Sequence, residues 1–184
     1  MKLPDIAVLA AGLLVFFLVL TYNQLVTLRN RVRNAWADID VQLSRRHDLV
    51  PGLVETVKGY MAHERGTLEN VTQARAQAMA AGGDIAARIS AETMLTGVLG
   101  KLMMTAENYP ELQASKNMQL LQEQLSSTEN RIAFARQFYN ESVMKLNTAI
   151  ATFPRNLVAG LMGFSPAALF AADASERDNV QVKI

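Results

Sequence analysis

Four consecutive side chains, Arg45 to Asp48, bring two guanidinium groups, an imidazole and a carboxylate together in one short stretch. Two arginines beside a helix amino terminus can hold a phosphate or another anion. The competing interpretation is a corner between two helices, in which Asp48 caps the second helix, Pro51 lies in its first turn and the arginines pair with carboxylates. We favour the corner. It predicts that replacing both Arg45 and Arg46 with alanine leaves the protein folded.

Other chemistry has little support in the sequence. It contains no cysteine, which excludes a thiolate metal site, and its only histidines are His47 and His63. The segment around His63 and Glu64 lacks the second histidine of a zinc-protease helix. The Gly82-Gly83 step is typical of a helix break rather than of a phosphate-binding loop. We therefore predict no catalytic residue, no metal ligand and no cofactor.

Several ionisable residues lie on or beside the predicted apolar stripes of the helices. They are Glu64, Arg75, Glu129, Arg131 and Arg136. In a helical bundle such residues more often pair with each other and fix helix register than take part in catalysis. Trp36, the only tryptophan, lies next to a stripe and is predicted to pack in the core.

An uninterrupted apolar segment precedes all of these residues. Residues 6–20 carry no charged or strongly polar side chain. Extension of the segment to Leu3 at one end and Tyr22 at the other gives about 20 residues, or roughly 30 Å of helix, enough to cross a bilayer. No small-residue cleavage site follows, so we predict a retained transmembrane anchor over 1–22 rather than a cleaved signal peptide. The residues predicted to mark the span are Ile6, Leu13, Phe16, Phe17, Leu20 and Tyr22.

Beyond the span, apolar residues recur every three or four positions, which predicts α-helix. One helix is expected from the membrane to about Arg46, and a second from Asp48 to the Gly82-Gly83 step. A third helix has Asp84 as its cap, and a fourth ends at Pro154.

Four amphipathic helices with short connections predict an all-α fold, an antiparallel four-helix bundle over 23–152 with coiled-coil-like packing. The amino-terminal transmembrane helix continues directly into this bundle. The apolar residues predicted to face neighbouring helices, here called the seam, are Leu28, Val32, Ile39, Val57, Leu68, Leu125, Ile132, Tyr139 and Leu146.

The tail, residues 153–184, is apolar but interrupted by glycines and by Ser165-Pro166. Its last residues alternate in polarity, which predicts a short strand without a partner strand in the chain. An unpaired strand edge and extensive apolar surface predict contacts between subunits, and the helices are expected to stay folded without the tail. The candidate contact residues are Phe153, Leu157, Leu161, Phe164, Phe170, Val180, Val182 and Ile184.

Three stretches together carry a family resemblance: "YNQLVTLRNRVRNAWADIDVQLSRRHDLVPGLVETVKGYMAHE", "LENVTQARAQA" and "STENRIAFARQFYNESVMKLNTAIATFPRNLVAGLMGF". In this order they resemble the bacterial LemA family over nearly the whole chain. The resemblance implies a small membrane protein with a helical bundle and no transferable catalytic motif. Magnetosome membrane proteins of the MamQ type look related, which implies a role in organising or shaping membrane.

We therefore predict a non-enzymatic, membrane-anchored scaffold whose partners are membrane lipid and copies of itself. The alternative is an adaptor for a membrane protease or signalling protein. Nucleic acid is not an expected partner, because 18 basic residues are nearly balanced by 17 acidic ones. Arginines after the span favour a single-pass protein of the bacterial inner membrane with its bulk in the cytoplasm rather than the periplasm.

Overall fold

The computed structural model describes residues 3–61, 63–82 and 85–170, and these residues form helices joined by short turns. Their bounds are α1 Leu3–Lys58, α2 Arg65–Ala80, α3 Ile85–Ala106, α4 Pro110–Gln113, α5 Lys116–Ala151 and α6 Arg155–Leu161. The all-helical prediction is confirmed, and the described residues contain no strand. The predicted terminal strand, with Val180, Val182 and Ile184, lies outside the described residues, as does the predicted cap Asp84.

The predicted corner at Asp48 is wrong, because α1 continues without interruption from Leu3 to Lys58 with Pro51 inside it. A proline in a helix interior has no N–H for the carbonyl four residues earlier, which here is that of His47. Arg75 Nε of α2 donates to this carbonyl at 2.7 Å instead. A side chain from another helix thus replaces the missing backbone hydrogen bond, and the helix tolerates Pro51.

The predicted second helix is also wrong in its bounds, since a turn separates α1 from α2 between Lys58 and Arg65. Gly59 follows the last residue of α1, and the Met61 N–H donates to the Val57 carbonyl at 2.9 Å. No large apolar side chain occurs in the six positions between Met61 and Leu68, so the helical stripe is broken there. The turn leaves Met61 fully buried in the core.

The chain divides into two compact units. The central unit is Ile39–Phe134, and the terminal unit combines Met1–Asp38 with Ala135–Ile184. The core of the central unit draws side chains from α1, α2, α3, α4 and α5. Its buried residues are Val50, Leu53, Val57, Met61, Leu68, Val71, Ala74, Ala78, Leu95, Leu99, Leu102, Ala106, Leu112, Met118 and Leu125.

In the terminal unit, a small core joins α1, α5 and α6 through Leu25, Ala149, Ala159 and Phe164. Of the predicted seam residues in this unit, Val32, Tyr139 and Leu146 are buried and Leu28 is half-buried. In the central unit, Ile39, Val57, Leu68, Leu125 and Ile132 are buried.

The amino-terminal part of α1 is long and apolar enough to cross a membrane. The large side chains predicted to mark this span, from Ile6 to Leu20, are exposed. A core helix of a soluble domain would be mostly buried instead, so the exposure supports a membrane-anchored protein.

Candidate functional site

The charged residues buried in the central unit are placed by the apolar stripes of their helices. Arg46 follows Leu43 by three positions in α1 and precedes Val50 by four, so the helix directs it towards the core. Glu92 precedes Leu95 by three positions in α3 and is fully buried as well. An arginine and a glutamate therefore occupy positions that a helix normally fills with apolar side chains.

Arg46 is the centre of a buried charge cluster. Its Nη2 donates to Glu92 Oε2, and its Nη1 donates to both Glu129 Oε1 and Thr96 Oγ1 at 2.8 Å. The side chains of Arg46 and Glu92 are fully buried, whereas that of Glu129 is 39% exposed. The guanidinium thus links α1 to α3 and α5 through charge-assisted hydrogen bonds, which are stronger than neutral ones.

His47 supplies the second neighbour of Glu92. Its Nε2 lies 3.0 Å from Glu92 Oε1, so each carboxylate oxygen faces a different side chain of α1. Because the His47 carbonyl accepts from Arg75 Nε, this residue also connects the cluster to α2. The buried charge cluster, Arg46, His47, Glu92 and Glu129 with Arg75, therefore touches the four longer helices of the central unit.

The pKa of the Glu92 carboxyl is lowered from its ordinary value. Burial opposes its ionisation, but the close contact with His47 and the charge and hydrogen bond of Arg46 together outweigh burial. Asp40 shows the opposite balance: burial raises its pKa, the Arg88 guanidinium 3.1 Å away opposes the rise, and the charge of Glu92 adds to it. Glu92 is therefore held ionised as the partner of Arg46.

This cluster offers little chemistry to a substrate. A general acid or base works best with a pKa near the operating pH, and the shift of Glu92 is in the other direction. Within the ranges 3–61, 63–82 and 85–170, no group of three His, Cys, Asp or Glu could hold a metal ion. Buried charges paired across helices fit a role in fixing helix register.

Two open grooves flank the core of the central unit. One, of about 610 Å³, is lined by Thr96, Leu99, Met103, Leu125 and Glu129 among others. Thr96 and Glu129 both bond to Arg46, so this groove reaches the edge of the buried charge cluster. The other, of about 790 Å³, has Val54, Lys58, Arg65, Leu68 and Glu69 among its lining residues.

The Arg45–Asp48 stretch does not form the site that either interpretation described. No helix begins there, so neither an anion site at a helix amino terminus nor an Asp48 cap exists. Arg45 and Asp48 are exposed, while Arg46 and His47 are buried. The pairing of Arg46 with carboxylates is correct. Arg46 makes these pairs in the interior, because it is fully buried.

The other ionisable residues named in the sequence analysis make different contacts in the structure. Glu129 pairs with Arg46, and Arg75 bonds to a backbone carbonyl. Arg136 lies with its guanidinium carbon 4.5 Å from the ring centroid of Phe170. Arg131 is exposed and Glu64 is half-buried. The sequence interpretation missed Glu92, although its spacing from Leu95 and Leu99 placed it on the apolar stripe of α3.

An aromatic group in the terminal unit holds part of the tail. Trp36 packs against Tyr139 and Phe170, with ring centroids 5.4 Å and 6.3 Å away. Tyr139 Oη donates to the Ala168 carbonyl at 2.9 Å. Trp36 therefore packs against Phe170, a residue that the sequence interpretation assigned to a contact between subunits.

Two asparagines of α5 fasten the same segment. Asn140 exchanges two hydrogen bonds with the Phe170 backbone, at 3.0 Å and 2.7 Å. Asn147 does the same with the Ala167 backbone, at 2.9 Å in both directions. Each amide therefore satisfies both the backbone N–H and the carbonyl of one tail residue. The signal for this clamp was their spacing of seven, two helical turns, beside Tyr139 and Leu146.

The candidate subunit contacts of the tail fall into three groups. Phe164 and Phe170 are buried against their own chain. Phe153, Leu157 and Leu161 are exposed. Val180, Val182 and Ile184 lie outside the described residues. Because Ala159 and Phe164 belong to the core around Leu25, the tail contributes to the core of the terminal unit, and the expectation that the helices stay folded without it stays a prediction.

Residues 35–184 match the model of the LemA family. This range includes every member of the buried charge cluster and both asparagines that bond to the tail, Asn140 and Asn147. The chain belongs to the LemA family. Protein LemA of Metamycoplasma hominis is 28% identical to it, over 94% of this chain and 79% of that protein. Magnetosome protein MamQ 2 of Paramagnetospirillum magneticum is 26% identical, over 90% and 70%. Magnetosome protein MamQ of Magnetospirillum gryphiswaldense is 24% identical, over 86% and 68%.

Within this LemA family chain, the match covers both units but only the end of the membrane-proximal helix, since it begins at Ala35 in α1. The apolar part of α1, which precedes Ala35, therefore lies outside the matched region. The relatives' names, LemA and MamQ, are not enzyme names.

Proposed function

We propose that this LemA family protein is a non-enzymatic structural protein, anchored in the bacterial inner membrane, that assembles with copies of itself and organises or shapes the membrane. In this proposal the long helices of the central unit form an antiparallel bundle around the buried charge cluster. The cluster stabilises one helix register, and the bundle presents a rigid outer wall to neighbouring copies. The bulk of the chain is cytoplasmic, as favoured by Arg29, Arg31 and Arg33 after the span.

The observation that carries this proposal is the large apolar side chains exposed on the wall of the central unit. Phe134 is 71% exposed and Met104 is 64% exposed, although the unit has a complete apolar core of its own. Aromatic residues and methionine are enriched in protein interfaces, where they bury large apolar areas. Copies anchored in one membrane meet in two dimensions, so weak contacts of this kind are strengthened by effective concentration.

The size of the full-length protein extracted in mild detergent tests the proposal. We expect a homo-oligomer by size-exclusion chromatography with light scattering. Phe134→Asp should shift it towards smaller species, because an interface that buries an unpaired carboxylate is destabilised. Asn130→Asp, an exposed position one turn earlier in α5, is the matched control and should leave the assembly unchanged.

A second candidate function is an adaptor for a membrane protease or signalling protein. The open groove of about 610 Å³ favours it, since the partly buried Met103 and the outer edges of the core residues Leu99 and Leu125 line it beside the Glu129 carboxylate. Full-length protein that is monomeric in mild detergent would contradict self-assembly and favour the adaptor. If the Phe134→Asp variant keeps the oligomer size, self-assembly stands but Phe134 is not part of the interface.

A further inference from the structure

The short helix α6 has one buried and one exposed apolar face. Val158 and Ala159 are buried at 2% and 1% exposure, whereas Leu157 and Leu161, one turn apart, are 60% and 82% exposed. Phe153 before the helix and Met162 after it extend the exposed face. We call these four residues, Phe153, Leu157, Leu161 and Met162, the α6 apolar face. A soluble surface rarely exposes so many large apolar side chains within ten residues.

The end of α6 fixes the helix against α1. Gly163 has φ of 70°, a left-handed conformation that glycine adopts without strain. The Phe164 N–H donates to the Ala159 carbonyl at 3.0 Å and the Gly163 N–H to the Gly160 carbonyl at 3.4 Å. These two bonds form a Schellman motif, in which the residue after the glycine packs back onto the helix. The sequence therefore turns Phe164 inwards and holds α6 in place.

Phe164 attaches α6 next to the end of the membrane span. Its ring lies edge-to-face with Tyr22, with centroids 6.0 Å apart, and shares a core with Leu25. Leu25 is only five residues beyond Leu20, the last apolar residue of the span, which is about 7.5 Å along α1. Thr21, between them, is already 4% exposed. The end of α6 therefore packs on α1 within about 7.5 Å of the last apolar residue of the span, which brings the α6 apolar face close to the expected membrane surface.

The charges around this level suit an anionic lipid surface. The Arg29 guanidinium carbon lies 5.0 Å from the centroid of the Phe164 ring, and Arg155 is the first residue of α6. An apolar face flanked by arginines is the composition of a helix that lies in a membrane interface. Tyr22 has the amphipathic side chain that is enriched at the same depth.

We propose that the α6 apolar face inserts into the headgroup and acyl boundary of the membrane that the amino-terminal span crosses. The inference rests on the proposed membrane anchoring. It gives the terminal unit two lipid attachments, the span and α6, joined rigidly by Phe164. A single span leaves the attached domain free to rotate relative to the bilayer. A second attachment holds one side of the domain against the bilayer surface. A protein that organises membrane needs such a fixed orientation.

The full-length chain, reconstituted in phosphatidylcholine vesicles with phosphatidylglycerol, tests the proposal directly. Because the sequence has no cysteine, one introduced thiol carries an environment-sensitive fluorophore without background. The labelled variants are Leu161→Cys on the α6 apolar face, Gln137→Cys on an exposed part of α5, and Leu14→Cys in the span. Gln137 lies fourteen residues before the end of α5, about 21 Å along the helix.

The proposal predicts that brominated lipids quench the Leu161→Cys label several-fold more than the Gln137→Cys label. Quenching at Leu161→Cys equal to that at Gln137→Cys would overturn it. A Leu161→Cys label that is shielded from aqueous iodide only at high protein-to-lipid ratio, without lipid quenching, would identify a second copy as the occupant and also overturn it. The Leu14→Cys label reports the anchor separately, so failure of membrane anchoring is distinguishable from failure of the α6 contact.

Discussion

The two units stabilise their helices by different chemistry. In the central unit, a fully buried arginine is surrounded by Glu92, Glu129 and Thr96, and each contact crosses between helices. In the terminal unit, aromatic rings and the amides of Asn140 and Asn147 hold the tail to α5. The first arrangement relies on paired charges around a fully buried guanidinium. The second relies on apolar contact and on backbone groups.

The difference matters for how each unit fails. A buried ion pair stabilises little compared with well-packed apolar residues, but removal of one partner leaves a buried charge without compensation. Loss of an aromatic ring or an amide only leaves a cavity or a few unpaired backbone groups. The central unit should therefore be sensitive to single charge changes, whereas the terminal unit should respond to changes in packing.

The largest expected effect is that of Arg46→Met, which leaves the Glu92 carboxylate buried beside an apolar side chain. We expect a loss of about 3–5 kcal/mol in the free energy of unfolding. Chemical denaturation of the detergent-solubilised protein, followed by circular dichroism, measures it. Arg45→Met is the matched control, since Arg45 is exposed, and should change the free energy by about 0.5 kcal/mol or less.

The double variant Arg46→Met with Glu92→Met sharpens this test, because it removes both charges together. It should recover most of the loss. Equal destabilisation by Arg46→Met and Arg45→Met would show that the buried charge cluster does not determine the stability of the central unit.

A smaller effect is expected from Phe170→Ala in the terminal unit. Phe170 is buried between Trp36 and the Arg136 guanidinium, and its loss should cost about 3 kcal/mol, the low end for a buried phenylalanine. The fluorescence of Trp36, the only tryptophan, reports this unit specifically. Its emission should shift to longer wavelength as the indole gains contact with water.

Leu169→Ala is the neighbouring control, because Leu169 is exposed and should leave the emission unchanged. An unaltered Trp36 signal in Phe170→Ala would mean that the tail does not pack on this site in solution. Phe170 would then remain available for the subunit contact that the sequence predicted.

Much of the fold was predictable because it follows from local apolar periodicity. The exposed apolar start of α1 and the limits of α3 and α5 appear directly in the spacing of their side chains. Pro154 ends the fourth long helix as expected, since α5 stops at Ala151. Such features need only neighbouring residues, which the sequence displays.

The errors arose where a distant side chain decides a local structure. Pro51 and Asp48 have the pattern of a helix start, but α1 continues through them, and Arg75, 28 residues after His47, supplies the donor that Pro51 lacks. Glu92 resembles a solvated glutamate until Arg46 and His47 are placed beside it. The apolar side chains of the tail did not reveal its partner, because the clamp uses asparagine amides against backbone groups that every sequence contains. The signal for the clamp was the spacing of Asn140 and Asn147 in α5.

The smallest of the expected effects tests how Pro51 is accommodated. Arg75→Ala leaves the buried His47 carbonyl without its donor, at a cost of about 1–3 kcal/mol for an unsatisfied group. In a Pro51→Ala background, the new N–H at position 51 can bond to the same carbonyl within α1. Arg75→Ala should then cost clearly less, and a double-mutant cycle by chemical denaturation gives the coupling between the two positions. Additive losses would show that Arg75 acts elsewhere, and that α1 tolerates Pro51 without a replacement donor.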